Sequence, residues 1–396
     1  MSASTLDAVA DTLFFVALGW AAAYSSSEIS VSVVLAAGTV PRAVLMVAGG
    51  AVADRLGLAL TANVTLVLRA LLMVPFAILL AGSGPVSAVG LVVVSLLFGV
   101  ADALHVPAMG ALVAVVAHDA ELRSAQSLVT TLGLIGQVVA APVAGFLLAL
   151  RGGVVGWAAA ACLAAAAAVM LSARRQFASD KPGTEVGESE PAGRKIHELL
   201  AGFRFARAHA PVLTILAVFT IANLTATAPL AVGIPLKAHA YGWSSEMYAV
   251  ATLGFAVGSA LGVVMMERHA TEATRPLRLA ATFLFAGAGA SYVLAFATHP
   301  VMAGIACLAL GACFAPAAVL LKAELLRITP ESHLGRVGGL LGFAIFGGIP
   351  VGFLIYGWLA EAVSIAIAGT VMATGLAVCL MLLLVPARPR SVEQSL

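Results

Sequence analysis

Charge is scarce in this sequence of 396 residues, of which Asp, Glu, Lys and Arg together make up only 10%. Hydrophobic residues make up 61%, and a water-soluble protein of this size could not remove so many apolar side chains from its surface. The formal net charge of +2, without a long basic run, argues against nucleic acid as a partner. The lipid bilayer is therefore the expected solvent for most of the chain.

Cysteine is also rare, and the four thiols, Cys162, Cys307, Cys313 and Cys379, lie in apolar runs without a C-x-x-C pair. This pattern favours small buried side chains over disulfides or metal ligands. The sequence also lacks a Ser/His/Asp set, a metal-ligand cluster and a phosphate-binding loop. We therefore expect no catalytic residues, no metal site and no cofactor, and the chain alone cannot drive transport with ATP.

Long apolar runs dominate what remains, and a spanning helix needs about 20 such residues. The first ten residues contain no Lys or Arg, so they lack the basic start of a cleavable signal peptide and predict a retained helix. Two groups of six runs follow one another, at 5–24, 30–53, 59–81, 86–106, 126–150 and 152–173, and at 211–236, 244–266, 277–298, 301–325, 337–360 and 364–385. The stretch at 86–125 is long enough to leave the bilayer and lie along its surface.

Basic residues determine the expected orientation. With a cytoplasmic N-terminus, the opposite side of the membrane holds only Arg151 and Lys237, and all other Lys and Arg outside the spans are cytoplasmic. We therefore expect a multi-pass protein of the bacterial inner membrane with both termini in the cytoplasm. The expected domains are an N-terminal bundle at 1–173, a cytoplasmic linker at 174–210, a C-terminal bundle at 211–386 and a tail at 387–396.

The linker has two parts. Residues 180–191 are rich in acids, Pro and Gly and predict a flexible segment. The residues after it form an apolar helical face bordered by arginines and a lysine, which comprises Ile196, Leu199, Leu200 and Phe203 with Arg194, Lys195, Arg204 and Arg207. This pattern predicts a helix in the lipid interface, and an ordinary solvated helix is the alternative.

Similar motifs recur in the two groups of runs. Gly, acid and Arg keep the same spacing before the third run and before the ninth, ending at Asp54-Arg55 and at Glu267-Arg268. The fifth and eleventh runs share an order of glycines around a proline, Pro142 and Pro350 respectively. Shared motifs in a six-plus-six layout indicate an internal repeat, which is typical of secondary transporters.

Gly50, Asp54, Arg55 and Gly57 lie between the second and third runs and resemble the signature loop of the major facilitator superfamily. The resemblance implies an all-α integral membrane fold with twelve transmembrane helices in two pseudo-repeated six-helix bundles. It also implies alternating access, with this loop helping to close the cytoplasmic side. The residues after Gly57 depart from the motif, because Leu58, Ala59 and Leu60 replace its basic residues.

Two further motifs resemble exporters of this superfamily. The segment of the fifth run with Gln137, Pro142 and Gly145 resembles the glycine-proline motif of its antiporters, although Gln137 and Ala141 replace two of the motif's glycines. Close packing of small residues explains the segment equally well. The segment 101–108, together with Asp11 and Arg42, resembles the bacterial drug and siderophore exporter branch. The arginine that many proton-coupled drug antiporters carry in the fourth helix is missing here.

Five ionisable residues fall at membrane depth in the N-terminal half, and they are the candidates for proton coupling: Asp11, Arg42, Arg69, Asp102 and His105. At about 1.5 Å per residue, the first three lie roughly 18–20 Å from the outer ends of their helices. One hypothesis is that Asp11 and Asp102 exchange protons while an arginine stabilises the deprotonated form. The alternative is a permanent salt-bridge cluster, with His105 as a satisfied polar side chain.

The C-terminal half has almost no charge at membrane depth. Lys322 and Glu324 fall at the end of the tenth run, where snorkelling to the interface explains both. Gly254, Gly258 and Gly262 form a stripe that predicts close helix packing. The candidates for lining a substrate cavity are Phe14, Phe15, Asn223 and Phe314.

The expected function is export of a small hydrophobic or amphipathic compound by a monomer in the bilayer, coupled to proton antiport. The first alternative is uptake or facilitated diffusion of a small polar nutrient, which the few polar groups of the C-terminal half argue against. The second alternative is a non-transporting membrane sensor.

Overall fold

The computed structural model describes residues 2–25, 31–82, 86–116, 122–180, 202–269, 276–330 and 333–384. This part of the chain is all-helical and contains twelve long apolar helices: α1 (Ser2–Ala23), α2 (Val31–Leu56), α3 (Leu58–Ala81), α4 (Ala88–Val116), α5 (Leu122–Leu150), α6 (Gly152–Asp180), α7 (Ala210–Ala240), α8 (Ser245–His269), α9 (Pro276–Phe296), α10 (Pro300–Ile328), α11 (Leu334–Ala362) and α12 (Ile365–Leu384). Eleven are long and apolar enough to cross a membrane, and α2 contributes a shorter apolar stretch, Val31–Leu45. The predicted twelve-helix fold is confirmed.

Prolines interrupt two of these helices. The α7 helix contains a π-helical turn at Pro229–Gly233, followed by the helical segment Ile234–Ala240. The α11 helix is divided at Gly347 into Leu334–Phe346 and Ile349–Ala362, just before Pro350. Proline lacks the N–H that bonds to the preceding turn and its ring collides with that turn, so a local change of helical geometry accommodates it.

The predicted loop between α2 and α3 is shorter than expected, which corrects the sequence interpretation. Gly50 and Arg55 belong to α2, which continues to Leu56, and the alanines at 51 and 53 favour the helix there. Only Gly57 forms the turn, with a φ of 92° that favours glycine. The side chain of Asp54 lies outside the described part of the structure.

Glycines allow equivalent helices of the two halves, α1–α6 and α7–α12, to pack closely. A Cβ atom on Gly99 of α4 would lie 1.9 Å from the carbonyl oxygen of Gly38 in α2. In the C-terminal half, a Cβ on Gly258 of α8 would lie 2.0 Å from the carbonyl oxygen of Leu308 in α10. The predicted packing role of the Gly254–Gly262 stripe is therefore confirmed, and α2 and α4 repeat it in the N-terminal half.

Two charged residues of the C-terminal half differ from their predicted settings. Lys237 does not lie in a loop but near the end of α7, where its buried Nζ donates to the carbonyl oxygens of Ala295 at 2.9 Å and Ala297 at 3.0 Å. A cation there satisfies the last carbonyls of α9. Glu324 does not snorkel, because it is buried and pairs with Arg327, whose Nη2 lies 2.6 Å from its Oε1.

Only part of the predicted interfacial helix is described. Residues 202–208 are helical, and the side chains of Phe203, Arg204 and Arg207 are exposed. Ile196, Leu199 and Leu200 lie outside the described residues, as do the flexible segment and the tail. The surface stretch predicted after α4 is partly helical, because α4 itself continues to Val116.

Candidate functional site

Charged side chains from four helices of the N-terminal half meet in one group, which we call the charged cluster. Its members are Asp7 and Asp11 of α1, Arg42 of α2, Arg69 of α3, and Asp102 and His105 of α4. The structure thus brings together all five residues that the sequence suggested as candidates for proton coupling, and it adds Asp7. Counted from Ser2 at about 1.5 Å per residue, Asp7 and Asp11 lie roughly 8 and 14 Å along α1.

Arg69 is the centre of the cluster. Its side chain is fully buried, and its Nη1 donates to Asp7 Oδ1 at 2.7 Å. The Nη2 atom donates to Asp11 Oδ1 and lies 3.9 Å from Asp102 Oδ1. The guanidinium also lies 4.6 Å from the ring centroid of Phe98. A single arginine therefore contacts all three carboxylates, two of them through charge-assisted hydrogen bonds.

Arg42 connects the cluster to the C-terminal half. Its Nη1 lies 3.0 Å from Asp102 Oδ2, while its guanidinium lies 4.3 Å from the ring centroid of Phe346 in α11. This cation–π contact crosses the boundary between the two halves. A movement of α11 relative to α2 would therefore change the surroundings of the Arg42–Asp102 pair.

His105 links α1 to α3 through its two ring nitrogens. The buried imidazole has Nε2 3.1 Å from Asp7 Oδ2 and Nδ1 2.9 Å from Thr65 Oγ1. The Thr65 hydroxyl is also within hydrogen-bond distance of the carbonyl oxygens of Thr61 and Ala62, at 2.8 and 2.9 Å. Both ring nitrogens of His105 thus have hydrogen-bond partners. In the series Asp7–His105–Thr65, the position of each hydrogen depends on the positions of the others.

The cluster does not balance its own charge unless it binds a proton. Its three carboxylates face two guanidiniums, which leaves one negative charge when His105 is neutral. One added proton, on His105 or on a carboxylate, makes the cluster neutral. Because a net charge buried in a membrane is costly, the site favours binding one proton or one other cation.

The carboxylates of α1 in the cluster are not exposed to lipid. Every described side chain of α1 between Ala3 and Ala23 is buried or partly buried, so other helices enclose α1. The side chain of Asp11 is nevertheless 28% exposed, and that of Asp7 is 17% exposed. Both carboxylates are therefore partly accessible although α1 is enclosed by other helices.

The space between the two halves is closed at one end. We call the side at which α1 begins and α12 ends the terminal side, and the opposite side the distal side. At the distal ends, Tyr248 of α8 donates to the carbonyl oxygen of Val16 in α1 at 3.2 Å. Gly145 of α5 lies so close to α8 that a Cβ on it would come within 2.2 Å of Ala249 Cβ.

A tyrosine at the end of α1 adds to the distal closure. The Tyr24 hydroxyl, which has one hydrogen to donate, lies 3.4 Å from the carbonyl oxygen of Ala238 and 3.3 Å from that of Trp243. On the terminal side, no comparably extensive contact among the described residues joins α4 or α5 to α10 or α11. Among the described residues, the extensive contacts between the two halves therefore lie on the distal side.

The predicted cavity residues have different environments. Phe14 is only 1% exposed and stacks on Phe98 with 4.1 Å between ring centroids, so it belongs to the packed core and the prediction that it lines a cavity is wrong. Phe15 and Phe314 are partly buried. Asn223 is buried, and its Nδ2 donates to the carbonyl oxygen of Phe219 in its own helix at 2.9 Å.

The remaining motif residues are not members of the charged cluster. Gln137 is exposed, Pro142 lies inside α5, and Gly145 is buried against α8. Arg55 is exposed at the end of α2. Among the residues that the structure describes, no group of His, Cys, Asp and Glu has an arrangement that could hold a metal ion.

Asp7 and Thr65 are the two members of the site that sequence reasoning missed. Asp7 precedes Asp11 by four residues, a spacing that places both carboxylates on one face of a helix. This spacing was the available signal. Thr65 likewise precedes Arg69 by four residues. A threonine in an apolar helix usually bonds its own backbone, so its presence does not indicate a functional site.

Comparisons with known proteins agree with the fold. A family model described as Major Facilitator Superfamily matches residues 1–323. No curated protein matches the sequence. Among solved structures, those of the nucleoside transporter NupG and of a point mutant of it are similar, with TM-scores of 0.71 and 0.73. Each is 12% identical and covers 96% of this chain, and the chain covers 97% and 98% of theirs, a likeness that shows the fold alone.

Proposed function

Because the chain belongs to the major facilitator superfamily, we propose that it is a secondary active transporter that works by alternating access and exports a small amphipathic compound in exchange for protons. Membership of this family makes it a multi-pass membrane transporter and not an enzyme. The compound, the direction and the coupling ion are the parts that we propose.

The observation that carries proton coupling is the charged cluster with its unbalanced carboxylate. Asp11 is partly exposed, and Arg42 contacts Phe346 of the opposite half. Rocking of the halves would change the partners of the Arg42–Asp102 pair and hence the proton affinity of the cluster. Coupling requires such a dependence of proton affinity on conformation.

The two walls of the space support an amphipathic substrate. The N-terminal half contributes the charged cluster, and we propose that the aromatic pair Phe255 and Phe314, whose ring centroids lie 6.3 Å apart, lines the wall of the C-terminal half. Its polar candidate, Asn223, bonds its own helix. A compound with one charged or polar end and an apolar body matches both walls.

We also propose an orientation for the protein in the membrane. With both termini in the cytoplasm of a bacterial cell, the terminal side is the cytoplasmic side, and the structure is the inward-open state that loads an exported compound. We further propose that the two six-helix halves act as a monomer and that the linker at 174–210 lies on the cytoplasmic side.

Transport by purified protein in liposomes tests the proposal. A panel of fluorescent lipophilic cations, neutral amphipathic dyes and nucleosides is offered with and without an imposed pH gradient, with protein-free liposomes as the control. We expect accumulation of an amphipathic compound only when the gradient drives protons in the opposite direction. Equal rates with and without the gradient would contradict proton coupling.

Uptake of a polar nutrient is the second candidate. The supporting observation is the structural likeness to a nucleoside transporter over nearly the whole of both chains. The nucleosides in the same panel decide between the two. Movement of a nucleoside with the proton gradient, and of no amphipathic compound, would favour uptake over export.

A further inference from the structure

We propose that the exchangeable proton is held between His105 Nε2 and Asp7 Oδ2, and that the hydroxyl of Thr65 turns when this proton binds or leaves. The proposal rests on the proposed function for its role in transport. The binding of the proton itself does not depend on any substrate. Neither Asp7 nor Thr65 belongs to the motifs that the sequence suggested.

Counting hydrogen-bond donors leads to this proton. The hydroxyl of Thr65 has one hydrogen, and when it donates to the carbonyl oxygen of Thr61 at 2.8 Å, its lone pairs face His105 Nδ1 at 2.9 Å. Nδ1 must then carry a hydrogen and donate to Thr65. In a neutral imidazole, Nε2 would be left with a lone pair directed at the Asp7 carboxylate, 3.1 Å away. Two acceptors face each other there unless one further proton lies between them.

Loss of that proton has a defined consequence for the same atoms. Once His105 is neutral, its remaining ring hydrogen is better placed on Nε2, where it donates to the ionised Asp7. Nδ1 then becomes an acceptor, and the Thr65 hydroxyl rotates from the carbonyl oxygen of Thr61 to donate to it. The proton-bound and proton-free states thus differ by one proton, one imidazole tautomer and one hydroxyl rotation, and neither leaves a buried donor unpaired.

The charges around the pair give the same proton count. The groups that face it are Arg69 of α3, Asp11 of α1, and Asp102 with its partner Arg42 of α4 and α2. With three carboxylates and two guanidiniums, the cluster becomes neutral when the His105–Asp7 pair holds one extra proton. Charge balance thus calls for one proton in the cluster, and the hydrogen-bond geometry shows that the His105–Asp7 pair can hold it with every buried donor paired.

Nitrogen NMR of histidine observes this proton directly. The purified full-length protein, labelled with ¹⁵N at its eight histidines, is placed in lipid nanodiscs and titrated between about pH 5 and pH 9. Loss of a signal in His105→Gln assigns His105, and the shifts of its two ring nitrogens report which of them carries hydrogen. We expect hydrogen on Nδ1 at the acidic end and hydrogen on Nε2 alone at the basic end.

Two variants at one position keep the proposal falsifiable if His105→Gln does not fold. Thr65→Val removes the acceptor for Nδ1–H of protonated His105 and the donor to Nδ1 of neutral His105. The hydrogen bond from the charged imidazolium is worth more than the one to the neutral imidazole. We therefore expect about a tenfold loss of proton affinity at His105. Thr65→Ser keeps the hydroxyl and should restore the wild-type titration. Asp7→Asn should leave His105 neutral throughout the range.

Three outcomes would overturn the proposal. They are a neutral His105 with hydrogen on Nε2 at every pH, a Thr65→Val titration equal to that of the wild type, and an unchanged His105 signal in Asp7→Asn. A titrating pair in a protein whose transport ignores the pH gradient would support the proton site and contradict the proposed coupling. The two failures are thereby distinguished.

Discussion

At the scale of single residues, the charged cluster depends most on Arg69, whose fully buried guanidinium contacts all three carboxylates. Arg69→Gln would leave Asp102 paired with Arg42 and Asp7 with His105, and it would remove the arginine that contacts Asp11. Breaking a buried ion pair from one side typically costs about 3–5 kcal/mol, since the remaining charge is uncompensated. We expect a large loss of thermal stability and of yield, measured as the melting temperature of the purified protein in detergent.

Arg42→Gln is the matched control for that substitution. The Arg42 side chain is 21% exposed and pairs with Asp102 alone. Water can compensate part of the loss, so we expect a clearly smaller fall in melting temperature. Equal falls for the two variants would show that Arg69 has no special role in stability.

Asp11→Asn separates proton coupling from a purely structural salt bridge. The substitution removes one negative charge, which leaves two carboxylates balanced by two guanidiniums without any bound proton. Gradient-driven transport should disappear, whereas exchange of substrate across the membrane and the melting temperature should survive. A purely structural pair predicts instead a loss of about 3–5 kcal/mol in stability.

Both quantities are measured on one preparation, with Glu361→Gln as the control because Glu361 is an exposed acid at the end of α11. A stable Asp11→Asn protein that retains full pH-driven transport would rule out both roles for Asp11. Attention would then move to Asp7 and Asp102.

The sequence predicts which residue types enter the cluster better than it predicts how they pair. Asp11, Arg42 and Asp102 are conspicuous because charge is rare in apolar runs. The pairing of Arg69 with α1 depends on the rotation of α3 about its axis, which hydropathy does not determine. Asp7 escapes notice because it lies in the second turn of α1, where a charge also suits the membrane interface.

At the scale of helices, hydropathy predicts all twelve elements because spanning length and apolar composition are both properties of a single segment. Their exact geometry depends on prolines and on neighbours. The π-helical turn at Pro229–Gly233 and the division of α11 at Gly347 follow local prolines, yet which distortion each proline causes is decided by packing. The burial of Lys237 at the end of α9 is a tertiary contact that no single segment reveals.

The packing of α4 on α2 gives a prediction at this scale. A Cβ at Gly99 would lie 1.9 Å from the carbonyl oxygen of Gly38, so Gly99→Ala must push the two helices apart. Such overpacking typically costs about 1–3 kcal/mol. We expect a lower melting temperature in detergent and a lower yield of folded protein.

Gly110→Ala is a control on the same helix, because no atom lies within 4 Å of the position of its Cβ. Alanine has the higher helix propensity, so this variant should be neutral or slightly stabilised. A Gly99→Ala protein as stable as Gly110→Ala would contradict close packing of α2 on α4.

At the scale of the whole molecule, the first prediction concerns orientation. Basic residues predict that the linker lies in the cytoplasm. Single cysteines introduced at positions 175–195, in a variant without the four native cysteines, should react with impermeant thiol reagents in inside-out vesicles and not in intact cells. Labelling in intact cells would reverse the orientation and exchange the inward-open and outward-open assignments.

The distal closure gives the last prediction, and Gly145 is the position that tests it. A Cβ on Gly145 would lie 2.2 Å from Ala249 Cβ and 2.8 Å from the carbonyl oxygen of Ser245, so alanine cannot be accommodated while α5 and α8 stay in contact. The clash exists only when the distal side is closed. Gly145→Ala should therefore destabilise the closed state relative to the open one, and each 1.4 kcal/mol of difference changes their ratio about tenfold.

The change in population is measured through the reactivity of a single buried thiol. Ala21 lies at the distal end of α1 and is only 2% exposed, so Ala21→Cys in the cysteine-free background should react slowly with a polar maleimide when the distal side is closed. Adding Gly145→Ala should speed this reaction several-fold. Gly133→Ala, on the same helix with no atom near its Cβ position, should leave it unchanged. Equal rates in all three proteins would contradict the prediction, because the closed state would then tolerate the added Cβ without a change in its population.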